Sequence, residues 1–164
     1  MSDEATVGST SQATIGWAFV AVQAVLLITL VVLPTGDRWP TPAPVIVFGG
    51  MLIGLGLAGM AMAALRLGSS LTPTPVPTDG GMMVTSGLYR FVRHPIYTAV
   101  LLIVVGLVIR SASLLTLVVG LATVWFFSTK ARWEERRLAE RYPDYPTYAA
   151  VTPRFVPRFR RPTG

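Results

Sequence analysis

Two clusters in this sequence have the residue types and spacing for chemistry. The first is Tyr89-Arg90-Phe91-Val92-Arg93-His94-Pro95-Ile96-Tyr97, which contains the only histidine of the chain. The second is Lys130, Arg132, Glu134 and Glu135. Both stand beside long apolar runs, where titratable groups are expensive and therefore informative. A histidine, tyrosines, cations and a carboxylate pair can hold a charged ligand or move a proton. A plainer reading stands beside this one. His94-Pro95 can be a simple helix start, because proline suits the first turn. Tyr97 and Trp125 can be interfacial belt residues. Glu134, Glu135, Arg136, Arg137, Glu140 and Arg141 can form a solvated helix face. Against it, a bare membrane anchor needs cations at the ends of its spans, not two adjacent carboxylates in a basic face.

The elements that must position these clusters are membrane helices. The 164 residues suffice for one domain. They are 52% hydrophobic and 13% charged, with a mean hydropathy of +0.57, whereas a soluble domain carries about 25% charge. Residues 15–33, 45–65 and 111–129 contain no Asp, Glu, Lys or Arg, and about 20 apolar residues cross the hydrocarbon core as a helix. A fourth run, 95–109, ends at Arg110. It spans roughly 22 Å, and a snorkelling Arg110 completes the crossing. The expected fold is an all-α integral membrane protein of about four transmembrane helices, near 15–33, 45–67, 95–109 and 113–129. The last two form a C-terminal helical hairpin turning at Arg110-Ser111, with the fourth helix continuing over 130–142. A hairpin brings its ends together, so His94 should lie near Lys130–Glu135 at one membrane face.

Three parts follow: a disordered polar tail at 1–14, a two-helix membrane part at 15–78, and a catalytic part at 79–164. The first run is not expected to be a cleaved signal peptide, because Asp3 and Glu4 stand where a positive n-region belongs. The proline run Thr72–Thr78 cannot continue a helix. The tail at 143–164, with five prolines and four arginines, reads as irregular and laid on the protein or on lipid headgroups. Of fourteen Lys and Arg, only Arg38 and Arg110 fall on the side of the first loop. The positive-inside rule makes the other side cytoplasmic. Basic residues that flank apolar spans argue against nucleic acid as a partner. Without cysteine there is no disulfide, thiolate metal site or Cys nucleophile, and no metal site is expected.

Gly54-Leu55-Gly56-Leu57-Ala58-Gly59 fits the G-x-G-x-x-G pattern, but it sits inside a charge-free span with no strand before it. Helix packing is the better reading: Gly50 and Gly54 make a GxxxG pair, extended by Gly59 and Ala63.

The stretch Val84–Tyr97 resembles the signature of the isoprenylcysteine carboxyl methyltransferase and phospholipid methyltransferase superfamily. That signature reads RHPxYxG, a hydrophobic hairpin, then EE. It appears here as Arg93-His94-Pro95-Ile96-Tyr97-Thr98-Ala99, the run to Thr129, then Glu134-Glu135. The tail pattern Y-x2-Y-x4-P-x3-P matches Tyr145, Tyr148, Pro153 and Pro157. The likeness covers roughly residues 80–160, and Ala99 departs from it where glycine is usual.

The resemblance implies an enzyme that uses S-adenosylmethionine without a Rossmann domain. On it, His94 and Tyr97 would bind the methionyl carboxylate, and the backbone around Leu88, Tyr89, Val92, Arg93 and Pro95 would line the cofactor. Glu135, with Glu134, would take its amino or hydroxyl groups, and Tyr145 and Tyr148 would close over the site. Methyl transfer from a sulfonium needs alignment and exclusion of water more than covalent help. A carboxylate substrate is already ionised and needs only a cation to place it. Lys130 stands where carboxyl-methylating relatives have an arginine, with Arg132 and Arg90 in reserve. An amine substrate would instead need deprotonation, by His94 or Glu134.

The leading expectation is O-methylation of an isoprenoid-type carboxylate, a lipophilic substrate taken from the membrane. The alternatives are phospholipid amine N-methylation and a non-catalytic membrane binding or scaffold protein; a sterol-reductase-like activity is more distant. The expected location is a bacterial inner membrane, amid its lipids, with the cofactor pocket facing the cytoplasm. Oligomeric state is not legible.

Overall fold

The structure, a computed structural model, describes the backbone of residues 2–68 and 83–157 and the side chains of residues 14–68 and 83–157. Five α-helices follow in order: α1 (Ser2–Val32), α2 (Ala43–Leu67), α3 (Pro95–Ser111), α4 (Leu114–Arg141) and α5 (Tyr145–Val151). A 3-10 turn at Gly87–Arg90 precedes α3. The polar tail expected at 1–14 lies outside the described side chains but for Thr14. The proline run at 72–78 and the last seven residues lie outside the described residues altogether.

Among the described residues, three stretches are long and apolar enough to cross a membrane: Thr14–Val32, Ala43–Leu67 and Leu114–Arg141. The outer surface agrees. Val22, Val25, Ile28 and Val31 of α1, Val47, Met51 and Leu55 of α2, and Leu114, Val118, Leu121 and Trp125 of α4 all point outward and are exposed. Helices with apolar surroundings on every side belong in lipid rather than water. α3, at 17 residues, is a shorter apolar helix. It packs most tightly against α2.

That close approach comes from small residues, on a face that only partly matches the expected one. The buried small residues of α2 are Gly49, Gly56 and Ala63, one every seven positions. A Cβ on Gly56 would stand 2.6 Å from the Ala99 carbonyl oxygen, and one on Gly106 would stand 2.5 Å from that of Gly49. Gly54 has nothing within 4 Å, and Gly50 meets only the Arg110 guanidinium. The packing reading therefore holds for Ala63, which is fully buried, and for Gly59, whose added Cβ would meet Ala99 at 3.8 Å, whereas the GxxxG pair Gly50 and Gly54 lies off the face that approaches α3. The stripe uses the seven-residue spacing that keeps one side of a helix against its partner.

Local chemistry sets the helix ends. Pro42 is extended and Pro44 lies in the first turn of α2, while Gly68, at φ 52°, ends it. Ala112 takes the left-handed conformation at φ 48°, and the Ser113 side chain accepts from Thr116 N–H to start α4. Carbonyls at the end of a helix have no partner of their own. At the end of α3 the loop between α1 and α2 supplies partners: Gly36 N–H donates to Ser111 O at 2.6 Å, Arg38 N–H to Ala112 O at 2.9 Å, and Trp39 Nε1 to Ile109 O at 3.2 Å. The expected turn at Arg110-Ser111 falls at Ala112-Ser113. Around this frame, Leu30, Val100, Val104, Phe126 and Phe127 form the buried core, joining α1, α3 and α4.

Two outcomes differ from expectation in the C-terminal part. α4 runs unbroken to Arg141 before Pro143, as read from sequence. The tail beyond is not irregular throughout, because Tyr145–Val151 forms α5. Residues 153–155 then return to the start of α3.

Candidate active site

His94 is the N-cap residue of α3, and Pro95 occupies the first turn. The missing proline N–H costs nothing there, since that donor would have no helical partner. Thr98 N–H closes the first helical bond to His94 O at 2.9 Å. Two strand-like contacts from the C-terminal segment hold the preceding backbone: Arg93 N–H donates to Pro153 O at 2.9 Å and His94 N–H to Arg154 O at 3.2 Å. Thr98 Oγ1 donates to Phe155 O at 2.9 Å. The histidine thus enters the site with its backbone fixed from two directions.

The opposite wall is the far end of α4. His94 Nε2 lies 3.0 Å from Glu135 Oε1, and His94 Nδ1 lies 3.7 Å from Glu134 Oε2. The Tyr97 hydroxyl donates to Glu134 Oε2 at 2.8 Å. The rings of His94 and Tyr97 stack with centroids 5.1 Å apart and planes within 2°. The two sequence clusters, about forty residues apart, form one constellation.

The two carboxylates are not equivalent. Glu135 is a hub: Oε1 accepts from Arg93 Nε (3.1 Å), His94 Nε2 (3.0 Å) and Arg154 Nε (2.8 Å), and Oε2 accepts from Arg154 Nη2 (2.6 Å). A carboxylate offers about four acceptor positions, so Glu135 is close to saturated. Arg93 is equally committed, its Nη1 donating to Ala149 O at 2.6 Å and Thr152 O at 2.9 Å. Glu134 keeps Oε1 without a hydrogen bond among the described residues. An incoming amino or hydroxyl group finds an acceptor at Glu134 rather than at Glu135. An incoming carboxylate at His94 would meet both glutamates.

The other expected residues divide clearly. Lys130 is 3% exposed. It donates to Gln23 Oε1 at 2.6 Å and lies over the Tyr97 ring, 5.4 Å from its centroid. Arg132 is exposed and bonds Thr129 of its own helix. Arg90 is exposed and stacks on Phe91. The structure brings neither of these two to the carboxylates. Tyr97 packs inside against Phe127 rather than in a belt, while Trp125 faces outward.

Tyr89, Val92 and Tyr145 are buried and Leu88 is half-buried. The Tyr148 hydroxyl donates to Tyr89 O at 2.5 Å. Burial pushes the Tyr148 hydroxyl up to about 12 and raises those of Tyr89 and Tyr145, so all three are neutral hydrogen-bond donors at neutral pH. The Tyr145 hydroxyl is buried without a hydrogen-bond partner among the described residues. A buried hydroxyl left unmatched costs free energy and calls for an acceptor.

Two members of this arrangement escaped the sequence reading. Arg154 belonged to a tail read as laid on the protein or on lipid headgroups, with no role given to it in the site. Gln23 is a lone amide inside an apolar run, and a polar residue at that depth was the available signal.

The comparisons with known proteins fall on the same region. The sequence profile described as phospholipid methyltransferase matches residues 44–145. The cobalt-zinc-cadmium resistance protein CzcN of Cupriavidus metallidurans is 36% identical over 110 residues, covering 66% of this chain and 50% of that protein. The nickel-cobalt-cadmium resistance protein NccN of Alcaligenes xylosoxydans xylosoxydans is 29% identical over 143 residues, covering 83% of this chain and 62% of that protein. The chain therefore spans about half to three-fifths of the length of these relatives.

Proposed function

The chain belongs to the phospholipid methyltransferase family, and from that premise we propose that it methylates the amine headgroup of a phospholipid with S-adenosylmethionine as donor. The family match, which takes in His94, Tyr97, Glu134 and Glu135, is the observation that carries this reading. It favours the phospholipid amine over the isoprenoid-type carboxylate of the sequence reading. The integral membrane setting suits a lipophilic substrate that never leaves the bilayer.

The residues present fit such a cofactor. Its amino and hydroxyl groups need acceptors and donors, and the half-buried Glu134 Oε1 and the buried Tyr145 hydroxyl are two such atoms without partners among the described residues. The backbone from Leu88 to Pro95 would line the remainder, with Tyr148 tying α5 to Tyr89 as a cover. When bound, the sulfonium supplies an electrophilic methyl carbon.

The substrate amine must be neutral to attack that carbon. With Nε2–H given to Glu135, Nδ1 is the nitrogen of His94 able to take the proton from the ammonium, on the side of Glu134. Lys130, a buried cation whose one hydrogen bond among the described residues is to a neutral amide, suits the lipid phosphate. It suits the carboxylate of an isoprenoid acid equally well. We place the site on the cytoplasmic face of a bacterial inner membrane, with α3 as a fourth span, in line with the distribution of Lys and Arg.

The relatives' names concern metal resistance. We infer lipid modification as this chain's part in such a setting, because the family match is to phospholipid methyltransferases.

The test is transfer of labelled methyl from S-adenosylmethionine by the purified protein in vesicles. One set contains phosphatidylethanolamine, a second a prenylated carboxylic acid, and a third neither. Label in the first supports the proposal. Label only in the second returns the assignment to O-methylation, and failure to bind the cofactor favours a non-catalytic role.

A further inference from the structure

We propose that Arg154 is a positioning residue: through Glu135 it sets the tautomer and orientation of His94 at the methyl-transfer site. Its effect on turnover rests on the function proposed above, while its effect on the ring does not. Arg154 lies beyond the matched stretch 44–145, in a proline-flanked segment without helical periodicity. The structure nevertheless delivers it to the centre of the site.

Three observations carry the inference. First, Arg154 grips both oxygens of Glu135, Nε to Oε1 at 2.8 Å and Nη2 to Oε2 at 2.6 Å. A side-on fork of this kind fixes the plane of a carboxylate, which a single contact does not. Second, Arg93 cannot substitute. It reaches only Oε1, and its Nη1 is spent on the Ala149 and Thr152 carbonyls. Third, the oxygen fixed by the fork is the one that faces His94 Nε2 at 3.0 Å. A carboxylate held there requires hydrogen on Nε2, which leaves Nδ1 directed toward Glu134. The Tyr97 ring stacked on His94 carries the same order onward, because its hydroxyl holds Glu134 Oε2.

The segment that brings Arg154 is itself well anchored. Backbone bonds from Arg93 and His94, the Thr98 hydroxyl on Phe155 O, and the Phe155 ring 6.0 Å from His94 hold it in place. Replacing the Arg154 side chain therefore removes the fork without removing the segment's other contacts.

His94 is the only histidine, so protein carrying no added histidines and labelled with 15N-histidine gives the signals of this one ring. The wild type, at a pH where the ring is neutral, should show a protonated Nε2 and a bare Nδ1. In Arg154→Gln the two ring signals should converge as the tautomers exchange. Arg154→Lys keeps the charge but not the fork and should fall between. Turnover in vesicles should fall roughly 10- to 100-fold in Arg154→Gln, by analogy with loss of the partner that orients a metal-ligating histidine. KM for S-adenosylmethionine should change much less. If Arg154→Gln does not fold, the ring signals of Arg154→Lys decide. Unchanged ring signals in the folded variants overturn the inference, even if turnover falls. Absence of methylation in the wild type would sink the proposed function, yet the ring signals would still decide the role of Arg154.

Discussion

Lys130 Nζ donates to Gln23 Oε1 at 2.6 Å, joining the middle of α4 to the apolar stretch of α1. The lysine is 3% exposed and surrounded by Tyr97 and Phe127 rings. A buried cation is tolerated only with partners, and removing one partner costs more than removing both. Gln23→Leu should therefore destabilise the protein by about 1–3 kcal/mol. Lys130→Met should cost less, and the double variant should recover part of the Gln23→Leu loss. Thermal unfolding of the four proteins in one detergent measures the coupling. Strictly additive losses would show that the bond contributes nothing. Lys130→Met should also lower turnover more than cofactor affinity, as the role proposed for it on the substrate side requires.

The unequal carboxylates make a second prediction. Glu135→Gln leaves Arg93 and Arg154 without their anion and should cost about 1.5–3 kcal/mol, the range for hydrogen bonds to charged groups. Glu134→Gln keeps an oxygen for the Tyr97 hydroxyl and should stay within about 1 kcal/mol of wild type. The order reverses for ligand affinity. Calorimetric titration with S-adenosylhomocysteine should show the larger loss for Glu134→Gln among folded variants. Equal affinity in Glu134→Gln and wild type would remove Glu134 from the cofactor.

Much of this site was legible because it depends on local and topological rules. Charge-free runs set α1, α2 and α4, and Pro95 set the start of α3. Two antiparallel neighbours joined by a short turn must bring His94 to Glu134 and Glu135. What was not legible depends on contacts that leave no period in the sequence. Arg154 reaches Glu135 because the 153–155 backbone pairs with 93–94, a non-local bond between irregular segments. The GxxxG pair of α2 was placed off the contact face, although Ala63 was placed on it, because glycines occupy both Gly49 and Gly50 and spacing alone does not say which one faces α3. The inequality of Glu134 and Glu135 likewise needs the neighbours of each, which adjacent identical letters conceal.

Tyr148 predicts an alkaline limit. Burial raises its hydroxyl to about 12, against about 10 in an unfolded chain. The neutral form is the one the fold prefers. As pH rises the unfolded chain loses this proton first, so the contribution is complete below pH about 10 and is lost between about 10 and 12. Tyr148→Phe cannot titrate. Its melting temperature should therefore fall less steeply than wild type across that window, although Tyr89 and Tyr145 keep part of the slope. At neutral pH the variant should be less stable by about 0.5–1.5 kcal/mol, for the lost bond to Tyr89 O. Parallel alkaline curves would show that Tyr148 is not held neutral by the fold.

The glycines of α2 and α3 allow a test of the helix interface that carries the site. Adding one methyl group at Gly56 places it 2.6 Å from both the Ala99 carbonyl oxygen and Ile103 Cγ1, and at Gly106 it strikes the Gly49 carbonyl at 2.5 Å. Backbone atoms cannot step aside as the end of a flexible side chain can, so the helices must separate. Gly56→Ala and Gly106→Ala should each cost about 1–3 kcal/mol, the usual range for an overpacked core. Gly54 is the control, because its methyl would meet nothing within 4 Å. There the helix gains from alanine, by roughly 0.5–1 kcal/mol in a water-exposed setting. The three substitutions add the same atoms to the same pair of helices, so differences in their thermal unfolding report position alone. Because Ala99 and Ile103 lie one and two turns beyond Pro95, a forced separation at Gly56 should also disturb the start of α3. Gly56→Ala should then reduce methyl transfer beyond what its stability loss explains, whereas Gly54→Ala should leave transfer intact. Equal stability of Gly54→Ala and Gly56→Ala would show that α2 does not approach α3 through the Gly49, Gly56 and Ala63 stripe.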